Sequence, residues 1–441
     1  MNDLIYASAA DLAAAIRAKQ VSSAEVVGAY LQRIEAVNPR LNALVQVAAD
    51  SARPQAQAAD AWLARGQRVG PLHGVPFTAK DVFETAGVIS AAGLEERAGF
   101  VPERDAVVVA RLKAAGAILL GKTNCPPGGG GGWTDNPVYG RTHNPYDLGR
   151  TPGGSSGGEA AAIAAGQSPL GLGSDSGGSI RVPAHFCGVA GLKPTSGRVP
   201  NTGTFNHPGG LSDYRTQIGP MARYVRDLAL VFPLIAGEDS QDSGVIPMPL
   251  GDLESGASPA PTDQAGTRPA PRLRVAFYAD DGQATPTPEI AAAVQRAALA
   301  LAEAGLSVEE AQPACLPQSR EISERYWAMS ELSGEQVEQL LLDWDGFRSV
   351  MLGFMAAYDL IVCPADYRPA SRHDEEAGQR FNYTLPFSLT GWPCVVVRAG
   401  TSPEGLPLGV QIVARAWRED VALAAAQQVE VALGGWQPPP I

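Results

Sequence analysis

The chain of 441 residues is poor in the groups that metal and redox chemistry use. Its five cysteines, Cys125, Cys187, Cys315, Cys363 and Cys394, are odd in number and never fall in a C-x-x-C pair. That pattern argues against a disulfide framework or a zinc–thiolate site. The five histidines show no H-E-x-x-H spacing, so neither a metal nor another cofactor is expected. Positive charge is also scarce: 34 basic residues against 46 acidic ones leave a formal charge of -12, which repels nucleic acid and anionic membranes. Long apolar runs are missing, with no segment reaching the roughly 20 residues needed to cross a bilayer. The opening MNDLIYASAADL carries an acid where a signal peptide needs basic residues. A cytoplasmic protein is expected, monomer or homodimer, without nucleic-acid or membrane partners.

What is abundant is apolar and small. With 45% hydrophobic and 18% charged residues the chain can bury the core of a large α/β enzyme. Residues 1–65 read as helices: Ser22 and Glu25 form an S-x-x-E capping box, and Val26, Val27, Tyr30, Leu31, Ile34 and Val37 recur as one apolar stripe. Over residues 66–237 the texture changes to short strands (VPFTA at 75–79, AILL at 117–120), Ala-rich helices and long Gly/Ser/Pro loops, and long loops in a compact domain are usually functional. Residues 238–272 are acidic, Pro/Gly/Ser-rich and aperiodic, and read as a surface excursion or linker. Residues 273–441 open with a strand, LRVAFYAD. Thr287 then caps a helix with Pro288 at its first position and Ile290, Val294, Ala297, Ala298 and Leu301 on its buried face. DLIVCPA and PCVVVRAG supply further strands of the same sheet, with Cys363 and Cys394 in its core.

Three glycine-rich stretches compete for the chemistry. GAILLGKT, Gly116 to Thr123, fits the P-loop pattern, but Ala-Ile-Leu-Leu is a buried strand and no helix follows, so Lys122 is read as structural. GGSSGGEAAAIAAG, Gly153 to Gly166, contains G-x-S-x-G, yet no strand leads into it and no histidine has the context of a base. GSDSGGSIR, Gly173 to Arg181, repeats the theme of a serine at the end of a Gly-Gly turn. Successive amides of Ser176, Gly177, Gly178 and Ser179 suit an oxyanion hole, because main-chain N–H groups can converge there on a developing negative oxygen. Lys80, in HGVPFTAKD, joins these two serine loops as a third element.

Together these residues resemble the amidase signature family of serine hydrolases. GPLHGVPFTAKD, AGAILLGKTN, TDNPVYGRTHNPYD, TPGGSSGGEAAAIAAG, GLGSDSGGSIRVPAHFCGVAGLKPT, QIGPMAR and GLPLGVQIV match family segments in family order. The resemblance implies a single α/β/α domain with a mixed, mainly parallel central sheet. It also implies a Ser-cisSer-Lys triad with Ser179 as nucleophile, Ser155 as bridge and Lys80 as base, and Ser156, Asp175 and Arg181 as supports that hold the two loops. Such a lysine must work neutral, and burial away from compensating carboxylates would lower its pKa toward that state. The activity implied is hydrolysis of a carboxylic amide, anilide or carbamate, with ester hydrolysis as a side activity. The alternative is a component of an amidotransferase that hydrolyses glutamine within a complex.

Two features depart from the family pattern. Ser174 stands where threonine is usual, with the hydroxyl kept. The stretch CPPGGGGGW, Cys125 to Trp133, carries five consecutive glycines where larger side chains are common. We expect Gly128, Gly129, Gly130 and Trp133 to line an enlarged substrate mouth, with Trp133 as a stacking wall. The segment TFNHPGG after Gly203 and residues 315–385, with Tyr326, Trp327, Trp344, Phe354 and Tyr383, are the other candidate pocket segments.

Overall fold

A computed structural model describes residues 2–253, 272–375 and 381–441. Eleven strands form one sheet: β1 (Leu44–Val47), β2 (Pro76–Lys80), β3 (Ile118–Thr123), β4 (Leu170–Asp175), β5 (Ala190–Lys193), β6 (Gln217–Ala222), β7 (Arg274–Phe277), β8 (Ser307–Glu310), β9 (Leu360–Pro364), β10 (Cys394–Thr401) and β11 (Pro407–Ala414). Their spatial order is β1-β3-β2-β4-β6-β5-β10-β11-β9-β7-β8. The sheet is mixed, as expected. Parallel pairing is concentrated in two blocks, β3-β2-β4 and β9-β7-β8, and the pairs that join and flank them are antiparallel. β2, β3, β4, β9 and β11 are buried along their whole length, which is why their sequences read as continuous apolar or small-residue runs rather than as alternation.

The local signals hold in detail. The helix Ser23–Leu41 has Ser22 as its N-cap in a complete capping box with Glu25, and all six residues of the apolar stripe are buried. The helix Pro288–Glu303 starts as expected with Pro288 behind Thr287, and its five anticipated core residues are buried. Thr287 itself departs from expectation, because its hydroxyl caps nothing: the Ile290 amide bonds the Thr287 carbonyl oxygen instead, at 3.0 Å. GAILLGKT runs into the strand β3, and Lys122 is buried, bonding the Phe83 carbonyl and, at 3.0 Å, the Ser90 hydroxyl. Of the expected excursion at 238–272, residues 254–271 lie outside the described residues. The described part holds no helix or strand, and Arg198 grips its Met248 and Pro249 carbonyls. No helix among the described residues is long and apolar enough to cross a membrane.

One consequence of the topology positions the site. β2 and β4 run parallel with Ala79 beside Leu172, so their C-terminal ends open at the same sheet edge. That brings Lys80, the last residue of β2, next to the end of β4 and the loop that follows it.

Candidate active site

Lys80 is wholly buried, and its Nζ donates to two hydroxyls: Ser155 Oγ at 2.6 Å and Ser174 Oγ at 2.9 Å. Burial pushes its ammonium down to about 8. The carboxylates are closer than the sequence suggested, since the fields of Asp175 and Glu159 both reach it. Neither fully compensates. Asp175 is neutralised by Arg181, and burial raises the Glu159 carboxyl to about 8 while Thr78 and Thr123 bond its two oxygens.

Ser155 lies in the loop ahead of the helix Gly157–Ala164, and the Gly154–Ser155 peptide is cis. Its neighbour Ser156 ties this loop to the next one. The Ser156 hydroxyl donates to the Ser174 carbonyl at 3.2 Å and accepts from the Ser174 amide at 3.3 Å, and the Ser156 amide donates to the Ser179 carbonyl at 3.1 Å. Asp175 and Arg181 fix the far side. Asp175 accepts from the Ile180 amide at 3.1 Å and forms a two-pronged pair with Arg181 at 2.9 Å on each arm. Arg181 then reaches the Thr384 carbonyl, Gln411 Oε1 and Ser388 Oγ, each at 2.8 Å. A buried pair with every remaining donor satisfied is the arrangement in which such charges hold a fixed geometry.

Between these clamps runs the turn Ser176–Ser179. Ser179 is partly exposed while Ser155 and Lys80 are buried. Among the described residues the N–H groups of Gly177, Gly178 and Ser179 donate to no protein acceptor. The Thr384 hydroxyl holds the turn from behind through the Gly177 carbonyl, at 2.5 Å. What the arrangement offers is a half-exposed hydroxyl, unoccupied main-chain donors beside it, and a buried amine linked to a second hydroxyl.

The family model Amidase matches residues 25–343 and 338–423. The chain belongs to the amidase signature family. The A-type subunit of the glutamyl-tRNA(Gln) amidotransferase of Moorella thermoacetica is 35% identical over 488 residues, covering 97% of each chain. An acylamidase of Rhodococcus erythropolis is 34% identical over 476 residues, 97% of this chain and 96% of that one. Among solved structures, 6-aminohexanoate cyclic dimer hydrolase superposes with a TM-score of 0.84 at 30% identity over 97% of both chains. The protein is accordingly an amidase-family hydrolase acting on C–N bonds.

Within this amidase the glycine run divides. Pro127–Gly129 form a single 3-10 turn with Gly128 and Gly129 buried, whereas Gly130 is exposed. A Cβ on Gly129 would lie 2.7 Å from Val82 Cγ1 and 3.6 Å from Lys80 Nζ, so the run does reach Lys80, but at Gly129 by close packing rather than by opening volume. The main chain of Gly131 to Trp133 lies directly on Gly154, where a Cβ would sit within 3 Å of three of its atoms. The Trp133 ring faces His373, with centroids 5.9 Å apart.

Of the other pocket candidates, Trp344 and Tyr383 are buried in the hydrophobic core, and Phe354 packs against it. Trp327, 51% exposed, stands against Gly177, its Cζ2 3.1 Å from where a Cβ would be. Thr384, Ser388 and Gln411 escaped the sequence reading because they meet the signature loops from more than 200 residues away.

Proposed function

We propose that the chain hydrolyses a linear carboxylic amide, anilide or carbamate through an acyl-enzyme on Ser179. The observation that carries this reading is the short bond between the buried Lys80 amine and Ser155, in a loop fastened to the Ser179 main chain. In its neutral form Lys80 takes the Ser155 proton as Ser155 takes that of Ser179. The Ser179 oxygen attacks the substrate carbonyl, and the charge that develops on its oxygen is held by the N–H groups of the turn Ser176–Ser179. The relay then reverses, Ser155 protonates the departing amine, and water hydrolyses the acyl-enzyme to the carboxylic acid. Ser174 keeps the amine aimed, and Ser156, Asp175 and Arg181 keep the two loops in register.

Kinetics on short aliphatic amides, aryl anilides, aryl carbamates and nitrophenyl esters, with Ser179→Ala as control, test the reading. Turnover must vanish in Ser179→Ala, and a fluorophosphonate must label the native protein at that residue; activity surviving the substitution would sink the proposal. The similarity to the A-type component of an amidotransferase supports a second reading, glutamine hydrolysis within a complex. Conversion of free glutamine to glutamate by the isolated chain, in preference to the other amides, would favour it.

A further inference from the structure

Arg215 is 1% exposed, and its Nε, Nη1 and Nη2 have no hydrogen-bond partner among the described residues. A guanidinium is always charged, and leaving one buried without acceptors is among the costlier arrangements a protein can hold. The two carboxylates whose fields reach it are engaged elsewhere: Asp175 pairs with Arg181, and Asp213 accepts from the Thr216 hydroxyl at 2.7 Å and lies 3.3 Å from His207 Nδ1. Two rings lie against it, Tyr326 at 4.9 Å and Trp327 at 5.2 Å, which offer a cation a face but no acceptor.

This cation lies just beyond the end of a strand ladder. β4 and β6 pair antiparallel down to Asp175 opposite Gln217, where the ladder ends, and just beyond it Ser176 Oγ meets Thr216 Oγ1 at 2.5 Å. Arg215 stands one residue before Thr216 and comes near Gly177, in the turn whose amides flank Ser179, through the shared neighbour Trp327. Trp327 packs on Gly177 and lies against the guanidinium, and is half exposed, so it forms a wall between solvent and the arginine.

We propose that Arg215 is a carboxylate-recognition residue of the active site, so that the preferred substrates are amides bearing a free carboxylate a few bonds from the scissile C–N bond. The inference rests on Ser179 as nucleophile. A carboxylate matches the planar fork of an arginine with two parallel hydrogen bonds, which no described residue supplies here. Tyr326 and Trp327 flank the fork and exclude water from the pair.

Paired substrates test this. Succinyl 4-nitroanilide against butyryl 4-nitroanilide places the carboxylate on the acyl side, and 4-acetamidobenzoate against acetanilide places it on the leaving side. The native protein is expected to favour the charged member of at least one pair in kcat/KM on the order of tenfold or more. In Arg215→Met that ratio should collapse toward one, mainly through KM, and Arg215→Lys should restore part of it. Ratios near one in both pairs for the native protein overturn the proposal without need of any variant, as does an Arg215→Met protein that keeps the native ratio. Succinate should inhibit butyryl 4-nitroanilide turnover by the native protein competitively; equal inhibition by succinamide would count against the proposal. Ser179→Ala separates the two readings: Ser179-dependent turnover with no charge preference overturns only the role of Arg215, whereas turnover persisting in Ser179→Ala overturns both.

Discussion

Arg181 and Arg215 are both buried arginines flanking one turn, and they are treated in opposite ways. Arg181 pairs with Asp175 through two nitrogens and sends its remaining donors to Thr384, Ser388 and Gln411. Arg215 has aromatic faces and no acceptor among the described residues. The first belongs to the floor of the site, where geometry is fixed before any ligand arrives. The second belongs to its mouth, where an unmet charge is kept for something that comes from outside. The contrast teaches that burial alone does not separate scaffold from recognition; completeness of hydrogen bonding does.

The sharpest ways to break that comparison lie on the floor. Ser179→Ala should abolish turnover, on the order of 10⁴-fold or more in kcat, with the melting temperature little changed. Lys80→Met should cost on the order of 10³-fold. Native kcat/KM should rise with pH through about 8, because Lys80 works only after losing its proton and burial lowers its pKa to that value. A profile already flat from well below that pH would argue that another group is the base. Arg181→Met should act on stability, removing about 3 to 5 kcal/mol by stranding the Asp175 charge, as read from denaturant melts. Arg215→Met, by contrast, should leave the fold far less perturbed, since no hydrogen bond among the described residues is lost; equal destabilisation by the two would erase the distinction between floor and mouth.

Smaller effects sharpen it. Ser174→Ala deletes one of the two hydroxyls bonded to Lys80 Nζ, and such a bond favours the charged amine. The midpoint of the pH profile should therefore move to lower pH, with a loss in kcat/KM below about tenfold. At the mouth, Gly130→Leu should discriminate by size, slowing bulky anilides by about tenfold relative to acetamide. Gly130 suits this test because its nearest neighbour to a new Cβ is the Pro127 carbonyl oxygen at 3.8 Å, whereas Gly129 has a left-handed φ of 74° and Val82 against it.

Much of the floor was legible in the sequence because its residues lie on short, contiguous motifs. Lys80 ends a strand readable from VPFTAK, and the serine loops announce themselves by glycines that only tight main-chain packing requires. Of the sheet, β2, β3, β7, β9 and β10 were legible for the same reason, each containing a short apolar run, whereas β1, β4, β5, β6, β8 and β11 did not stand out from their surroundings. What sequence could not supply was contact at long range. Thr384, Ser388 and Gln411 are ordinary residues until the fold sets them around Arg181. Arg215, in SDYRTQIGP, has the composition of a surface loop, and only the fold sets it inward against Tyr326 and Trp327. At Gly129 the missing side chain is not empty space, because the Val82 side chain already fills it.

The contact between the end of the glycine run and Gly154 has a meaning for how such a protein can change over generations. Where Gly131 to Trp133 rest on Gly154, main chain meets main chain, so the fit around the cis serine does not depend on what side chain Gly130 carries. Should Gly130→Leu discriminate by size as expected, drift at that solvent-facing position would rewrite what the enzyme admits while the parts that cut the bond stay under a separate constraint. Selection can then explore new substrates one residue at a time, without first passing through a broken catalyst.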